Sequence, residues 1–288
     1  MVQFVGGIYE KATDRYKYTN TYTLTPENLR KFYFLSNNCG VTVRKSEGSE
    51  IRMKLEISSF MDITSFDGIV ETKQEGESFY VKVKFPINCW GTAELELPEN
   101  LEEVDLRGSN GKIEVGSFRS GMLKTSTSNA KIEYTDVAAA EIEAMTDNAK
   151  ISFENVKADY AVLRSSNGKI EMDCCEIIDT NAKTSNGAIK IPCAVVANNG
   201  NYNFQLESSN GAITVNFNEL LSHGFYTELS TSNGKVNVEL DTLRYNSAKT
   251  TLGMLQPITL RSENYDSCSA KINIKAKTSN GPISIGEE

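Results

Sequence analysis

The stretches LRGSNGKIEV (106–115), TSTSNAKIEY (125–134), AMTDNAKISF (144–153), LRSSNGKIEM (163–172) and AKTSNGAIKI (182–191) are one phrase written five times. Their asparagines, Asn110, Asn129, Asn148, Asn167 and Asn186, stand 19 residues apart at every step. The phrase continues at Asn210 and Asn233, after intervals of 24 and 23, and returns at Asn280. The gap of 47 before Asn280 holds a degraded copy, Ser269 to Ile274. Self-similarity at a fixed period marks a repeat architecture whose units bury their apolar faces only by stacking.

The columns of the phrase show what each unit is. Three residues after each Asn stands Ile113, Ile132, Ile151, Ile170, Ile189, Ile213, Val236 or Ile283, and five after it another apolar residue. Apolar residues two apart are one face of a strand. Lys112, Lys131, Lys150 and Lys169, with Glu114, Glu133 and Glu171, then face water as a mixed-charge surface. Upstream, the positions four and two before the Asn share a parity that carries the Asn inward. A corner follows at Asn-Gly, where glycine accepts positive φ. A further inward position stands eight after the Asn, at Phe118, Val137, Val156 and Cys175.

Two or three short strands per 19 to 24 residues, each ended by a corner, predict coils of a parallel β-helix, an all-β solenoid. Asn-Gly is also a hairpin signal, but the constant period favours coils. Each strand then pairs with its copy in the next coil, about 4.8 Å away. On this reading Asn110, Asn129, Asn148, Asn167, Asn186, Asn210, Asn233 and Asn280 form a structural amide ladder inside the stack.

Outside the regular coils of 101–240 the pattern loosens. Residues 1–100 alternate like strands and read as irregular coils and a cap, with Thr25 to Arg30 as a short helical turn. The aromatic residues Tyr16, Tyr18, Tyr22, Phe32, Tyr33 and Phe34 are expected to pack beneath that cap. Residues 241–288 hold an insertion and a last coil, the whole forming one continuous domain. The insertion, 241–268, is expected to leave the stack as a loop. Loops on a rigid scaffold are where binding concentrates, so Tyr245, Met254, Leu255 and Tyr265 are the candidate partner-binding residues.

Composition narrows the function. The 288 residues carry 30 basic and 38 acidic side chains, a net charge of −8. That balance argues against nucleic acid, whose binding needs Lys and Arg on phosphates. No run is long and apolar enough for a transmembrane segment. The start lacks a basic segment followed by a long apolar one. A chain that works where it is made and one trimmed of a leader both fit, so the compartment stays open.

Six cysteines without CxxC spacing read as buried free thiols. The nearest thing to a chemical cluster is Asp173-Cys174-Cys175-Glu176, where parity places Cys175 inside and Cys174 outside. With one histidine, His223, and no phosphate loop, nucleophile elbow or zinc-protease motif, no catalytic residue, metal or cofactor is expected.

The run Ala93-Glu94-Leu95-Glu96-Leu97-Pro98-Glu99-Asn100-Leu101, then Val104-Asp105-Leu106-Arg107-Gly108-Ser109-Asn110-Gly111-Lys112-Ile113, then the recurring Thr-Ser-Asn-Gly-x-Ile, resembles the bacterial putative-adhesin family of β-strand-repeat proteins over about residues 30–285. The resemblance implies a right-handed β-solenoid at or near the cell envelope, with no catalytic residues to carry over. Where relatives often have Asp after the Gly, Lys112, Lys131, Lys150 and Lys169 make this outer face less acidic.

Three functions follow as expectations. The first is a non-enzymatic solenoid that displays a surface to a protein or glycan partner. The second is a carbohydrate-active enzyme, a polysaccharide lyase or glycosidase, using an outer groove. The third is a cytoplasmic stress-linked scaffold. The chain is expected to be a monomer or a weak end-to-end oligomer.

Overall fold

The computed structural model describes residues 2–12, 15–99, 101–218, 223–241, 243–246 and 257–287. The fold is all-β, and no described residue is helical. The chain divides into two compact units, 1–140 and 141–288. The turn expected at Thr25 to Arg30 is a bend instead, with Asn28 in the left-handed region at φ 49°. At its end the backbone bonds to the turn between Val70–Glu75 and Ser78–Val83, Arg30 and Lys31 N–H both donating to Glu77 O.

In residues 141–288 two parallel stacks run side by side. The strand after the Asn builds one: Ile151 pairs with Ile170, Ile170 with Ile189, Ile189 with Ile213, Ile213 with Ile283, and Ile283 with Val236. All six are buried. Full burial of such a side chain stabilises by about 1.5–3 kcal/mol, so this column is a large part of the core. The strand before the Asn builds the other, in the order Leu163, Ala182, Leu206, Ala276, Leu229.

Those orders correct one expectation. Repeats do not stack in chain order throughout: the segment 271–287 lies between 202–218 and 224–240. The reason is side-chain volume. In chain order the inner column would read Leu163, Ala182, Leu206, Leu229, Ala276 and set two leucines together. In spatial order large and small alternate at every step, which lets facing layers fill space evenly.

Residues 1–140 repeat the device. Lys31–Ser36 pairs with both Ser78–Val83 and Leu101–Arg107, and Cys39–Lys45 pairs with both Cys89–Leu97 and the start of Ile113–Thr127. The earlier segment is thus sandwiched between two later ones. Phe32, Phe34, Tyr18 and Tyr22 are buried there, while Tyr33 stacks on Tyr80 with ring centroids 4.6 Å apart.

Open strand edges recruit other chains, and here each stack is closed by an antiparallel strand. Val70–Glu75 covers Ser78–Val83, and Ile51–Ser59, Arg15–Leu24 and Val2–Ala12 follow Cys89–Leu97 in turn. In residues 141–288, Leu243–Asn246 covers Val236–Leu240, and Ile258–Arg261 covers Gly224–Thr231.

At the corner, the asparagine ladder exists but faces solvent. Asn129 Nδ2 donates to Asn110 Oδ1 at 2.8 Å, and Asn110 Nδ2 to Asn38 Oδ1 at 2.8 Å. In the second unit the chain of donors runs Asn233, Asn280, Asn210, Asn186, Asn167, Asn148, each step 2.7 Å. All these amides are exposed, and in most repeats the inward corner residue is the glycine after them: Gly111, Gly168, Gly187, Gly234 and Gly281 are buried. Parity fails because the two successive outward residues are Asn and its predecessor. The Gly N–H turns in to the hydroxyl three residues back: Gly187 N to Thr184 Oγ1 is 3.2 Å, and Thr184 Oγ1 donates to Gly168 O at 3.0 Å.

Glycine is needed there for space rather than for φ, since among the described residues only Gly68 and Gly76 are glycines with positive φ. A Cβ on Gly187 would stand 2.0 Å from Gly168 O, and one on Gly211 1.9 Å from Gly187 O. The left-handed residues lie elsewhere, seven after the Asn: Ser117, Asp136, Asn155 and Cys174, with φ between 49° and 56°. They mark a second corner in each of those four repeats.

Three outcomes test this arrangement. Gly187→Ala should lower stability by about 1–3 kcal/mol in urea unfolding, the usual cost of overpacking, whereas Ala149→Gly, at a half-exposed corner that already carries a Cβ, should cost under about 1 kcal/mol. Asn167→Ala should cost about 1 kcal/mol, as expected for solvent-facing hydrogen bonds; a loss of several would restore the buried ladder. The pair Asn233→Cys and Asn280→Cys should cross-link under mild oxidation. The pair Asn210→Cys and Asn233→Cys, two strand spacings or about 9.6 Å apart, should not. The reverse result would break the interleaved order.

Candidate functional site

In residues 141–288 the strands before each Asn turn alternate side chains outward. Counting back seven from the asparagines gives the row Tyr160, Asp179, Asn203, Asn273 and Tyr226, which the pairing places on consecutive strands, with Arg261 on the antiparallel strand beyond. The row two residues on reads Val162, Asn181, Gln205, Lys275 and Glu228. All of these but Val162 line an open groove of about 810 Å³.

The floor is a second polar ladder. Asn203 Nδ2 donates to Asp179 Oδ1 at 2.6 Å, Asn273 Nδ2 to Asn203 Oδ1 at 2.9 Å, and the Tyr265 hydroxyl to Asn273 Oδ1 at 2.8 Å. The amide orientations are therefore set by a chain of bonds rather than free to turn. Alongside it, the Tyr226 hydroxyl donates to Glu228 at 2.9 Å and Lys275 lies 3.2 Å from the same carboxylate. The bond to Glu228 raises the pKa of Tyr226, and Tyr226 and Lys275 together lower that of Glu228.

Aromatic rings bound the groove. Tyr160, 41% exposed, stands at one end. Four strand spacings away, about 19 Å, Tyr226 and Tyr265 face each other with centroids 6.1 Å apart and planes at 50°. Two cations flank the Tyr265 ring, the Arg261 guanidinium at 4.8 Å and the Lys271 ammonium at 5.0 Å. The loop that carries Tyr265 is anchored from below. Phe225 N donates to the buried Ser262 Oγ at 2.8 Å, Ser262 N to Phe225 O at 3.0 Å, and Asn264 Nδ2 to His223 O at 3.3 Å. A Cβ on Gly224 would meet Tyr265 Cα at 2.6 Å, so the loop seats directly on that glycine.

Of the four residues expected to bind a partner, the structure brings only Tyr265 into this groove. Tyr245 pairs with Val238 and borders a different cavity, of about 730 Å³, with Asp241, Arg244 and Glu287. Met254 and Leu255 lie outside the described residues. The strand residues of the groove were missed, although the count of seven before each Asn isolates them.

A second cluster sits at the left-handed corner. Asp173, Cys174 and Cys193 each offer a ligand atom, all within 4.8 Å of one another. Cys174 is exposed and Cys175 buried, as parity requires. The neighbouring Cys193 thiol, with partial desolvation and Asp173, raises the Cys174 pKa to about 11. No described helix is long and apolar enough to cross a membrane.

No curated protein matches the chain. Among solved structures it is similar to a putative adhesin from Bacteroides fragilis NCTC 9343, at 10% identity over 94% of this chain and 97% of that one, with a TM-score of 0.49. It is similar to a putative lipid binding protein from Parabacteroides distasonis ATCC 8503, at 12% identity, 94% and 96% coverage and a TM-score of 0.45. A putative cell adhesion protein from Clostridium sporogenes ATCC 15579 matches at 12% identity, 94% and 99% coverage and a TM-score of 0.31. The family model described as Toastrack DUF4097 matches residues 29–286, from the first interleaved strand through the last corner, and this chain belongs to that family.

Proposed function

We propose that the chain is a glycan-binding, adhesin-like protein and that the groove from Tyr160 to Tyr265 is its recognition surface. One observation carries the reading: a fixed row of side-chain amides bounded by the exposed Tyr160 at one end and the half-buried Tyr226 and Tyr265 at the other. A sugar ring presents an apolar C–H face that stacks on an aromatic ring, and a rim of hydroxyls that both donate and accept. The oriented amides of Asn203 and Asn273, with Asp179 and Gln205, match that rim, and the tyrosines match the face. An acyl chain would desolvate the same amides without giving them partners. The span of about 19 Å suits a short oligosaccharide.

Binding rather than hydrolysis is the role this site supports. A glycosidase needs one carboxyl group that keeps its proton near neutrality. Glu228 is driven the opposite way by Tyr226 and Lys275, and Asp179 is engaged by Asn203. We also propose that the parallel stacks are right-handed coils of 19 to 24 residues. The pairing of Ile151 with Ile170 and of Leu206 with Ala182 supports those lengths, and the handedness of parallel crossovers supports the turn.

A glycan array followed by calorimetry tests the reading. Tyr265→Ala and Asn203→Ala should each weaken binding by about 2 kcal/mol, roughly 30-fold, with unfolding midpoints close to the parent's. Binding that survives both changes would place recognition elsewhere.

A further inference from the structure

Outside the groove, the corner seven residues after the Asn offers different chemistry. Ser117, Asp136 and Asn155 occupy it in other repeats, and of those residue types Asp and Asn tolerate left-handed geometry. Cys174 adopts the same conformation, φ 50°, without that tolerance. The next repeat carries Cys193 at the same count, seven after Asn186. Two local slips in register adjust the neighbours: the pairing shifts between Glu171 and Asp173 and again between Asp173 and Cys175, which sets Asp173 opposite Cys193. Three ligand atoms of zinc-binding type thereby converge within 4.8 Å, two sulfurs and one carboxylate oxygen. Their solvent side is open, because Cys174 is exposed and Asp173 and Cys193 are only half-buried.

We propose that Asp173, Cys174 and Cys193 form a binding site for a zinc-class divalent cation, with its fourth coordination position open to solvent. Two thiolates and a carboxylate suit a borderline-soft d¹⁰ ion, and Ca²⁺ and Mg²⁺ prefer sites made of oxygen alone. The two thiol protons leave to solvent as the cation binds. The rival use of the cysteines, a disulfide, is disfavoured by the carboxylate, which opposes the thiolate that exchange requires; a dication reverses that opposition. The two cysteines lie on adjacent repeats, so a bound ion would tie one repeat to the next.

Titration of the reduced, full-length chain with Co²⁺ under anaerobic conditions tests this. The expected result is one equivalent of Co²⁺ with a sulfur-to-cobalt charge-transfer band in the near ultraviolet, displaced by Zn²⁺. Cys174→Asn, which keeps a residue suited to the left-handed corner, and Cys193→Ser should each abolish the band. Asp173→Asn should weaken binding while leaving sulfur coordination visible, and Cys175→Ser should change nothing. Far-ultraviolet circular dichroism would verify that each variant folds. No thiolate band on the folded parent, a band that survives Cys174→Asn, or a Cys174–Cys193 disulfide that forms in place of metal uptake would each overturn the proposal.

Discussion

Everything in this fold depends on how closely one corner can approach the next. Gly168, Gly187, Gly211, Gly281 and Gly234 sit on top of one another's carbonyl groups at distances that leave no room for a methyl group. The hydroxyl three residues before each glycine ties its N–H inward and in most repeats also reaches the carbonyl of the neighbouring repeat. This contact sets the height of each step. With the height set, the isoleucines fall into register and the exposed asparagines come within bonding distance. The ladder of amides is therefore a consequence of the corner and adds modestly to it.

Interleaving at the ends solves a problem that a simple stack leaves open. A terminal repeat with neighbours on one side only would bury half as much of its apolar surface. In both units the segment displaced from chain order has a neighbour on each face, and the outermost parallel strand is closed by an antiparallel one. The covering strands Val70–Glu75, Leu243–Asn246 and Ile258–Arg261 are short, and the first alternates charge along its length, features that discourage pairing with another chain.

The sequence made the repeats, the inward isoleucine columns and the parallel pairing readable, because a constant period and a two-residue alternation leave little choice. Two readings went astray for physical reasons. The direction of Asn167 depends on where the corner falls, and parity alone does not reveal that the residue before it also faces out. The spatial order of the last three repeats depends on volume. It was present in the text as the misfit of Leu229 following Leu206, which only a comparison of column sizes would expose. The groove was half-legible: Tyr265 stood out in the irregular segment, whereas Asp179, Asn203, Asn273 and Tyr226 looked like ordinary solvent-facing residues until stacking lined them up. Cys193 was hidden in the same way, unremarkable until counted from Asn186.

The interleaved segment also has a bearing on biosynthesis. A ribosome delivers residues 202–218 and 224–240 before residues 271–287 exist, yet the described strands of the two earlier segments pair with the later one and not with each other. Any stack assembled on the emerging chain must either hold a vacant slot lined with isoleucine and phenylalanine or delay its last steps until that segment arrives. Folding of this half therefore waits for translation of residues 271–287, and a chain cut short within that segment would expose apolar surface of the kind that chaperones and proteases recognise.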